Sequence, residues 1–457
     1  MKLVYIPIEV KDRELISKLF FICENISDNY AFFIGDKLSV ARAIDLFGKG
    51  IYFYKSINHN DTSHINKIKN KGNLYFSIDV EGGALLNDAS IFQSFLKYRS
   101  SEKNLSLVDK VFTWGDFDHK EWKKKYKKYN DKIIKSGEPR FDMWRKKVYS
   151  RIFKDEINSL KKYQPYFFIP SSFYSSYEYL IKAIEFDKKL TKQTTSVPLK
   201  KRIKNKRNNY RKFLIFVNLI KKLTKDFPKH RIIIKPHPSE NINDWKNKFS
   251  DQYRSKIIID NNFDLTSYIA SSKCVIFNES TAGIQSMIMG KKTVCYDIKD
   301  TFSMRSYANK CTPRVQSYKK LVNFLNKNYL NKKKYIYLKK IKKRFHITNQ
   351  TTSKIIFQHF KKNNLEIINL SKIKYKIIII GLYYLFKDNF YSFLGDVKKK
   401  IFKLKINYQS KILKMSGGIK RKEVVTIIRN LGLINKTSII NFGKNGYLIS
   451  KNDAKNS

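Results

Sequence analysis

Cysteine is scarce in this chain: its 457 residues hold four, Cys23, Cys274, Cys295 and Cys311. They form no CxxC pair and no histidine stands at ligand spacing from them, which excludes a disulfide framework and a structural zinc site. A reducing cytoplasm is the expected setting. Acidic residues are also few, 38 Asp plus Glu against 93 Lys plus Arg, so the formal charge is +55. Long apolar runs are missing. The longest, Ile377 to Phe386 (IIIIGLYYLF), falls well short of the roughly 20 residues a membrane-crossing helix needs. The opening Met1-Lys2-Leu3-Val4-Tyr5-Ile6-Pro7 lacks the apolar core and cleavage site of a secretion signal and reads as a first strand.

What is present points to a folded protein. With 42% hydrophobic and 14% aromatic residues, the chain carries too much apolar surface for a disordered basic tail. Its length suits two or three domains of roughly 100 to 200 residues. The lysines are scattered, as in Lys123 to Lys128, Lys200 to Arg211, Lys332 to Lys343 and Lys398 to Lys405. Scatter fits solvated lysine faces, with attraction to an anionic membrane surface or substrate as the next reading and no specific nucleic-acid partner.

Short apolar runs alternate with amphipathic stretches through residues 1–150: strands at Leu3 to Ile8, Ala31 to Ile34, Gly50 to Tyr54, Leu74 to Ile78, Lys110 to Thr113 and Lys132 to Ser136, with helices at Arg13 to Ile26 and Ser39 to Phe47. Alternation of this kind implies crossovers and a parallel sheet. A second such series fills 160–345, with strands at Tyr166 to Pro170, Arg231 to Ile234, Ile257 to Ile259, Cys274 to Phe277 and Thr293 to Tyr296. Between them, Lys188 to Arg211 reads as a basic loop or surface helix and Asn209 to Lys222 as a helix. Residues 346–457 mix basic helices with an apolar segment and read as a basic extension. The predicted class is α/β, two Rossmann-like doubly wound domains.

In parallel sheets function gathers at the carboxyl ends of strands. Strand, Asn278-Glu279-Ser280-Thr281-Ala282-Gly283, helix is the strongest local signal. A small-residue turn opening a helix presents N–H groups and hydroxyls to a phosphate, or else is an ordinary helix cap. Lys235-Pro236-His237-Pro238-Ser239 is a rigid polar loop. His237 can donate to a phosphate and stabilise charge on a leaving group, or be structural. Asp79 and Glu81 flank Val80 beside Gly82-Gly83, where a carboxylate can reach a substrate hydroxyl as general base, or simply cap a turn. Trp114-Gly115-Asp116 and Gly137 to Asp142 are further polar loops at strand ends.

The residues REL (Arg13 to Leu15), IDVEGG (Ile78 to Gly83), TWGD (Thr113 to Asp116), SGEPRFDMWR (Ser136 to Arg145), IIIKPHPSE (Ile232 to Glu240) and FNESTAGIQSMIMGKKTVCYD (Phe277 to Asp297) resemble, in order and spacing, those of bacterial surface-carbohydrate biosynthesis proteins. These belong to a wider group of GT-B glycosyltransferases that includes capsule β-Kdo transferases, sialyl- and polysialyltransferases, and the CDP-glycerol glycerophosphotransferases of teichoic acid synthesis. The resemblance covers roughly residues 1–300. It implies two domains facing a cleft, an acceptor-side domain first and a nucleotide-donor domain second. His237, with Lys235 beside it, would contact the donor phosphate; Ser280, Thr281 and Gly283 would hold the donor. Glu81 or Asp79 would be the base, with Gly82 and Gly83 making room. Val80 stands where relatives usually carry an acid, which leaves the base open between Asp79 and Glu81. Gln285 stands where an acid often meets ribose. Arg140 falls in the cleft or pairs with Asp142. No metal and no cofactor beyond a nucleotide-sugar co-substrate is implied.

The function implied is transfer of a sugar, a CMP-linked acidic sugar by slight preference, to a glycan or lipid-linked acceptor of a surface polysaccharide such as capsule or O-antigen. One alternative is CDP-glycerol or CDP-ribitol phosphotransfer; another is a non-catalytic basic protein binding membrane or nucleic acid. The expected location is cytoplasmic, with Ile377 to Lys414 against the inner face of the membrane.

Overall fold

The computed structural model describes residues 1–80, 88–188, 198–238, 240–298, 307–327, 332–402 and 418–452. The chain divides into two compact units, Met1–Glu81 with Ala89–Met143 and Arg344–Ser457, and Gly82–Asp88 with Trp144–Lys343. Residues beyond 346, expected as a separate extension, are therefore part of the first unit. The main segment of the second unit runs from Trp144 to Lys343, where the sequence reading placed a domain at 160–345.

The first unit is built on an eight-stranded sheet. Its parallel strands are β1 (Lys2–Pro7), β2 (Tyr30–Gly35), β3 (Ile51–Tyr54), β4 (Leu74–Ile78), β5 (Lys110–Thr113) and β6 (Ile133–Lys135). Leu3 to Ile6, Phe32 to Ile34 and Phe53 are fully buried. That is why these strands read as unbroken apolar runs: helices cover both faces of the sheet. Helix α1 (Lys11–Asn25) links β1 to β2, α2 (Lys37–Phe47) links β2 to β3, and α3 (Thr62–Asn70) lies between β3 and β4. Asp36 starts α2 by accepting from the Ser39 amide at 2.7 Å, satisfying a donor the helix leaves open.

Late in the chain come the helices Thr352–Lys361, Leu370–Phe402 and Arg421–Asn430 and the hairpin β13 (Thr437–Phe442) and β14 (Gly446–Lys451). The hairpin adds antiparallel to β2, with Leu448 opposite Phe33, giving the order β13-β14-β2-β1-β3-β4-β5-β6. Phe357 and Phe360 of the helix Thr352–Lys361 pack against Phe21, 6.3 and 5.6 Å away between ring centroids.

The second unit holds β7 (Tyr166–Pro170), β8 (Arg231–Lys235), β9 (Ile257–Ile259), β10 (Cys274–Phe277), β11 (Thr293–Tyr296) and β12 (Arg314–Val315), all parallel, in the order β12-β11-β10-β7-β8-β9. Of the basic stretch before residue 211, residues 189–197 lie outside the described residues, and from Leu199 it is helical: Leu199–Asp226 runs as one helix of 28 residues. Its C-terminal half buries Phe213, Phe216, Ile220 and Leu223 against Ile232, Ile234 and Trp245 in the core.

Candidate functional site

In the second unit the chain runs from β7 outward through β8 and β9, then returns to β10 on the other side of β7. The direction of winding reverses between β7 and β10, and a crevice outside the carboxyl ends of two such strands is where doubly wound sheets take ligands. Three loops converge there. The Ser172 hydroxyl donates to the Asn278 carbonyl at 3.1 Å, tying the loop after β7 to the turn after β10. The Ser171 amide donates to the Lys235 carbonyl at 2.9 Å, tying it to the end of β8, where the next loop begins.

Glu240 locks this assembly from below. Its buried carboxylate accepts from the Ser171 hydroxyl at 2.8 and 2.6 Å, the Phe173 amide at 2.8 Å and the Trp245 indole at 2.7 Å. Burial pushes its pKa up, against the pull of the Ser171 and Trp245 hydrogen bonds. His237 sits exposed on this support, its carbonyl accepting from the Glu240 amide at 2.8 Å. Its backbone is clamped at an exposed position. Lys235, expected beside His237 at the donor, has its ammonium donating to the Phe263 carbonyl at 2.9 Å and lying 5.2 Å from the Tyr268 ring. It holds the neighbouring loop.

The turn after β10 carries the unusual backbone. Glu279 has φ 52, the only non-glycine residue with positive φ among the described residues. It is held there from both ends. Its amide donates to the Asn309 side chain at 2.9 Å, and its carboxylate pairs with Lys212 at 2.9 Å. Ser280 caps the short helix Ala282–Ile288, its hydroxyl accepting from the Ala282 amide at 3.3 Å. Thr281 is exposed and makes no side-chain cap. Among the described residues the amides of Ser280 and Thr281 donate to no acceptor. Beside them, Asn278 is 2% exposed and its side-chain oxygen has no hydrogen-bond partner. Gly283 has a packing role: a Cβ there would stand 2.2 Å from the Phe277 ring. Gln285 turns inward to the Thr266 hydroxyl at 3.0 Å.

In the first unit the acidic loop is described only as far as Val80; Glu81, Gly82 and Gly83 lie outside the described residues. Asp79 pairs with Arg99 at 2.8 Å, and its carbonyl accepts from the Trp114 indole. Arg140 pairs with Glu138 at 2.8 Å rather than with Asp142, and donates to the Val80 carbonyl at 2.7 Å. It thus fixes the stem of the acidic loop.

Two motifs prove to be docking points for the returning chain. The His346 amide donates to the Trp114 carbonyl at 2.7 Å. Asp142 accepts from the Thr352 and Ser353 amides at 2.9 Å each and from the Ser353 hydroxyl at 2.8 Å, capping the helix Thr352–Lys361 from 210 residues away. Gly137, with φ +88, stands where a Cβ would meet the His346 carbonyl at 2.7 Å.

The sequence reading missed a charge cluster where the first sheet reverses, between β1 and β3. Glu9 follows β1 and Lys55 follows β3, 3.4 Å apart, and Lys55 lies equally far from Glu14 on α1. Burial raises the Glu9 pKa, but Lys55, Lys37 and the Tyr54 hydroxyl outweigh it and bring the carboxyl to about 2. Lys18 on α1 is 2% exposed and its ammonium has no hydrogen-bond partner; burial depresses its pKa to about 8 against the opposing pull of Glu14 and Glu138. The rule that places sites at a winding reversal would have found these residues, given the strand order.

No protein-family profile and no curated protein matches this sequence. Solved structures do resemble it. A putative UDP-N-acetylglucosamine 2-epimerase from Listeria monocytogenes is 10% identical, with 81% of this chain and 100% of that one covered, at a TM-score of 0.51. The wall teichoic acid polymerase TagF is 14% identical over 79% of this chain and 88% of its own, at 0.47. MnaA of S. aureus, solved with UDP, is 8% identical over 79% of this chain and 96% of its own, at 0.46. Likeness at such identities is likeness of fold, and the Listeria chain carries it: this protein has the GT-B fold of two doubly wound α/β domains.

Proposed function

We propose that the chain is a nucleotide-sugar-dependent glycosyltransferase of bacterial surface polysaccharide synthesis, with its donor site at the β7/β10 reversal. The observation that carries this reading is the pair of unengaged amides at Ser280 and Thr281 in a turn held rigid by the Lys212–Glu279 pair. Fixed N–H groups at a strand-to-helix turn suit a phosphate oxygen. The hydroxyls of Ser280 and Thr281 add donors, and the exposed imidazole of His237 supplies another within the same set of loops. Asn278 offers a buried acceptor for a hydroxyl or amino group of the nucleoside.

In this reading the acceptor hydroxyl attacks the anomeric carbon, the bond from that carbon to the donor phosphate breaks, and the nucleotide leaves with the electron pair. Its charge is met by donors already in place, so little reorganisation is needed. The hydroxyl proton passes to Glu81 or Asp79. Engagement of Asp79 with Arg99 favours Glu81. Arg140 positions that loop through the Val80 carbonyl.

The test is a thermal-shift panel of CMP, CDP, UDP, GDP and UMP on the wild type and on His237→Ala, since a ligand that binds the folded state raises its melting temperature. One selective response, lost in the variant, is expected. A CMP response names an acidic sugar donor, and a CDP response turns the assignment to alditol-phosphate transfer. No response to any nucleotide from a well-folded sample overturns the proposal.

A further inference from the structure

Among the described residues, 15 large hydrophobic side chains are exposed, and seven of them lie on the helix Leu370–Phe402. The helix is apolar on two sides. Its inner side carries Ile377, Tyr384 and Asp388: Ile377 is buried, Tyr384 meets Phe442 at 5.5 Å between ring centroids, and Asp388 takes both its oxygens to Arg42 of α2 at 2.8 and 2.9 Å. The outer side carries Tyr375, Ile379, Leu382, Phe386 and Phe390, spaced three or four residues apart so that they form one stripe. Tyr375 is 79% and Phe386 73% exposed.

The stripe continues onto neighbouring elements. The crossovers through α2 and α3 run in the same direction along the sheet, so their shared handedness puts both helices on one face. The Arg42–Asp388 pair brings the long helix beside α2 in that layer. Between α2 and α3 lies a groove of about 230 Å³, with Leu38, Ala41, Ile44 and Ile68 inside and Lys37, Lys67 and Lys71 at its rim. Leu38 is itself 56% exposed.

The geometry points to this three-helix layer as a surface that docks on an anionic lipid bilayer. Charge selects the partner. Among the described side chains of the helix Leu370–Phe402 the charged ones are Lys376, Lys387 and Asp388, and Asp388, the one acid of the three, is committed to Arg42. Lys376 is exposed beside the stripe, and the ammonium of Lys387 lies 5.6 Å from the Tyr383 ring. Aromatic and aliphatic side chains flanked by lysines suit the boundary between acyl chains and negatively charged headgroups. No described helix is long and apolar enough to cross a membrane, so the helix lies in the plane of the interface. The inference stands independently of the proposed transferase activity.

The experiment is flotation of the full chain with vesicles of phosphatidylcholine, with and without phosphatidylglycerol. The wild type is expected to float with the anionic vesicles, to be released by salt, and to stay behind with the neutral ones. The triple variant Leu382→Ser, Phe386→Ser, Phe390→Ser alters only exposed positions. It should keep the wild-type melting transition yet lose about a hundredfold or more in partition, since each large apolar side chain contributes roughly tenfold. Lys67→Glu with Lys376→Glu should abolish the preference for phosphatidylglycerol without touching the stripe. A wild type that ignores anionic vesicles, or a triple variant that floats as well as wild type, overturns the proposal. A dimer in solution that Phe386→Ser dissociates, in a protein that binds no vesicle, would assign the face to a second copy of this chain and equally overturn it.

Discussion

Replacing Glu279 by glycine sets two effects against each other. Glu279 holds φ 52, a left-handed conformation that costs an ordinary residue about 1 kcal/mol and glycine almost nothing. On backbone grounds alone Glu279→Gly should stabilise. The same change removes the partner of Lys212, whose side chain is 3% exposed while that of Glu279 is 20% exposed. Breaking one side of so buried a pair costs about 3 to 5 kcal/mol, because a cation is left in a poorly solvated place. The second effect wins, and the net loss should be about 2 to 4 kcal/mol. In a unit of this size 1 kcal/mol moves the melting temperature by about 2 to 4 °C, so scanning calorimetry should show the transition of the second unit falling by roughly 4 to 16 °C. Adding Lys212→Met removes the stranded charge and should restore most of the loss. A single variant as stable as wild type, or more so, would refute the claim that the pair holds the turn. Lys212 would then be a cation available to a ligand.

Gly283→Ala places a Cβ 2.2 Å from the Phe277 ring and should cost about 1 to 3 kcal/mol by overpacking; an unchanged urea midpoint would mean the ring moves aside freely. Asp142→Ala removes three hydrogen bonds to the start of the helix Thr352–Lys361, a loss of about 3 kcal/mol or more. Hydrogen exchange of residues 352–361 should accelerate, and unchanged protection would show that the helix docks without that cap. Lys18 has a pKa of about 8 in the fold against 10.5 when unfolded. Below about pH 8 its buried charge costs about 3 kcal/mol, and between there and pH 10.5 the folded protein has already released the proton, so the cost fades. Urea unfolding should therefore show the wild type gaining on Lys18→Met as pH rises through that window. A difference that does not vary with pH would contradict this.

The parallel strands were legible because burial on both faces leaves unbroken apolar runs, and Leu3 to Ile8 or Cys274 to Phe277 need no partner to be recognised. Local sequence cannot show pairing across more than 400 residues. The hairpin Thr437–Lys451 has strand composition and a Gly-rich turn, yet nothing in it announces that it joins β2. The helix Leu370–Phe402 was obscured for another reason: with apolar side chains on two sides, it lacks the contrast between faces that reveals an amphipathic helix. At the candidate site the loops were legible and the individual roles were not. Gly137 and Asp142 read as chemistry because polar residues and glycine cluster at strand ends in active sites. They serve instead to receive Thr352 and Ser353, a partner that no spacing within the motif could disclose.

The two units place different electrostatics at the same topological position. Each winds outward from its first strand in both directions, β1 between β2 and β3, β7 between β10 and β8. At the first reversal the charges answer one another: Lys55 lies within 3.4 Å of both Glu9 and Glu14, and Glu9 is held ionised down to about pH 2. A crevice so compensated has little to offer a phosphate, while a fixed carboxylate such as Glu9 can accept from sugar hydroxyls. At the second reversal the fixed groups are backbone amides and the Ser280 hydroxyl, with exposed His237 on the neighbouring loop, and Glu279, the acid beside them, is engaged by Lys212. Donors held in place without a competing anion are what a leaving phosphate requires. On the proposed reading, then, the division between acceptor and donor domains follows from charge as well as from motif. Reversing the second crevice with Ser280→Asp should abolish nucleotide-induced stabilisation, because a carboxylate would then accept the amides that the phosphate needs.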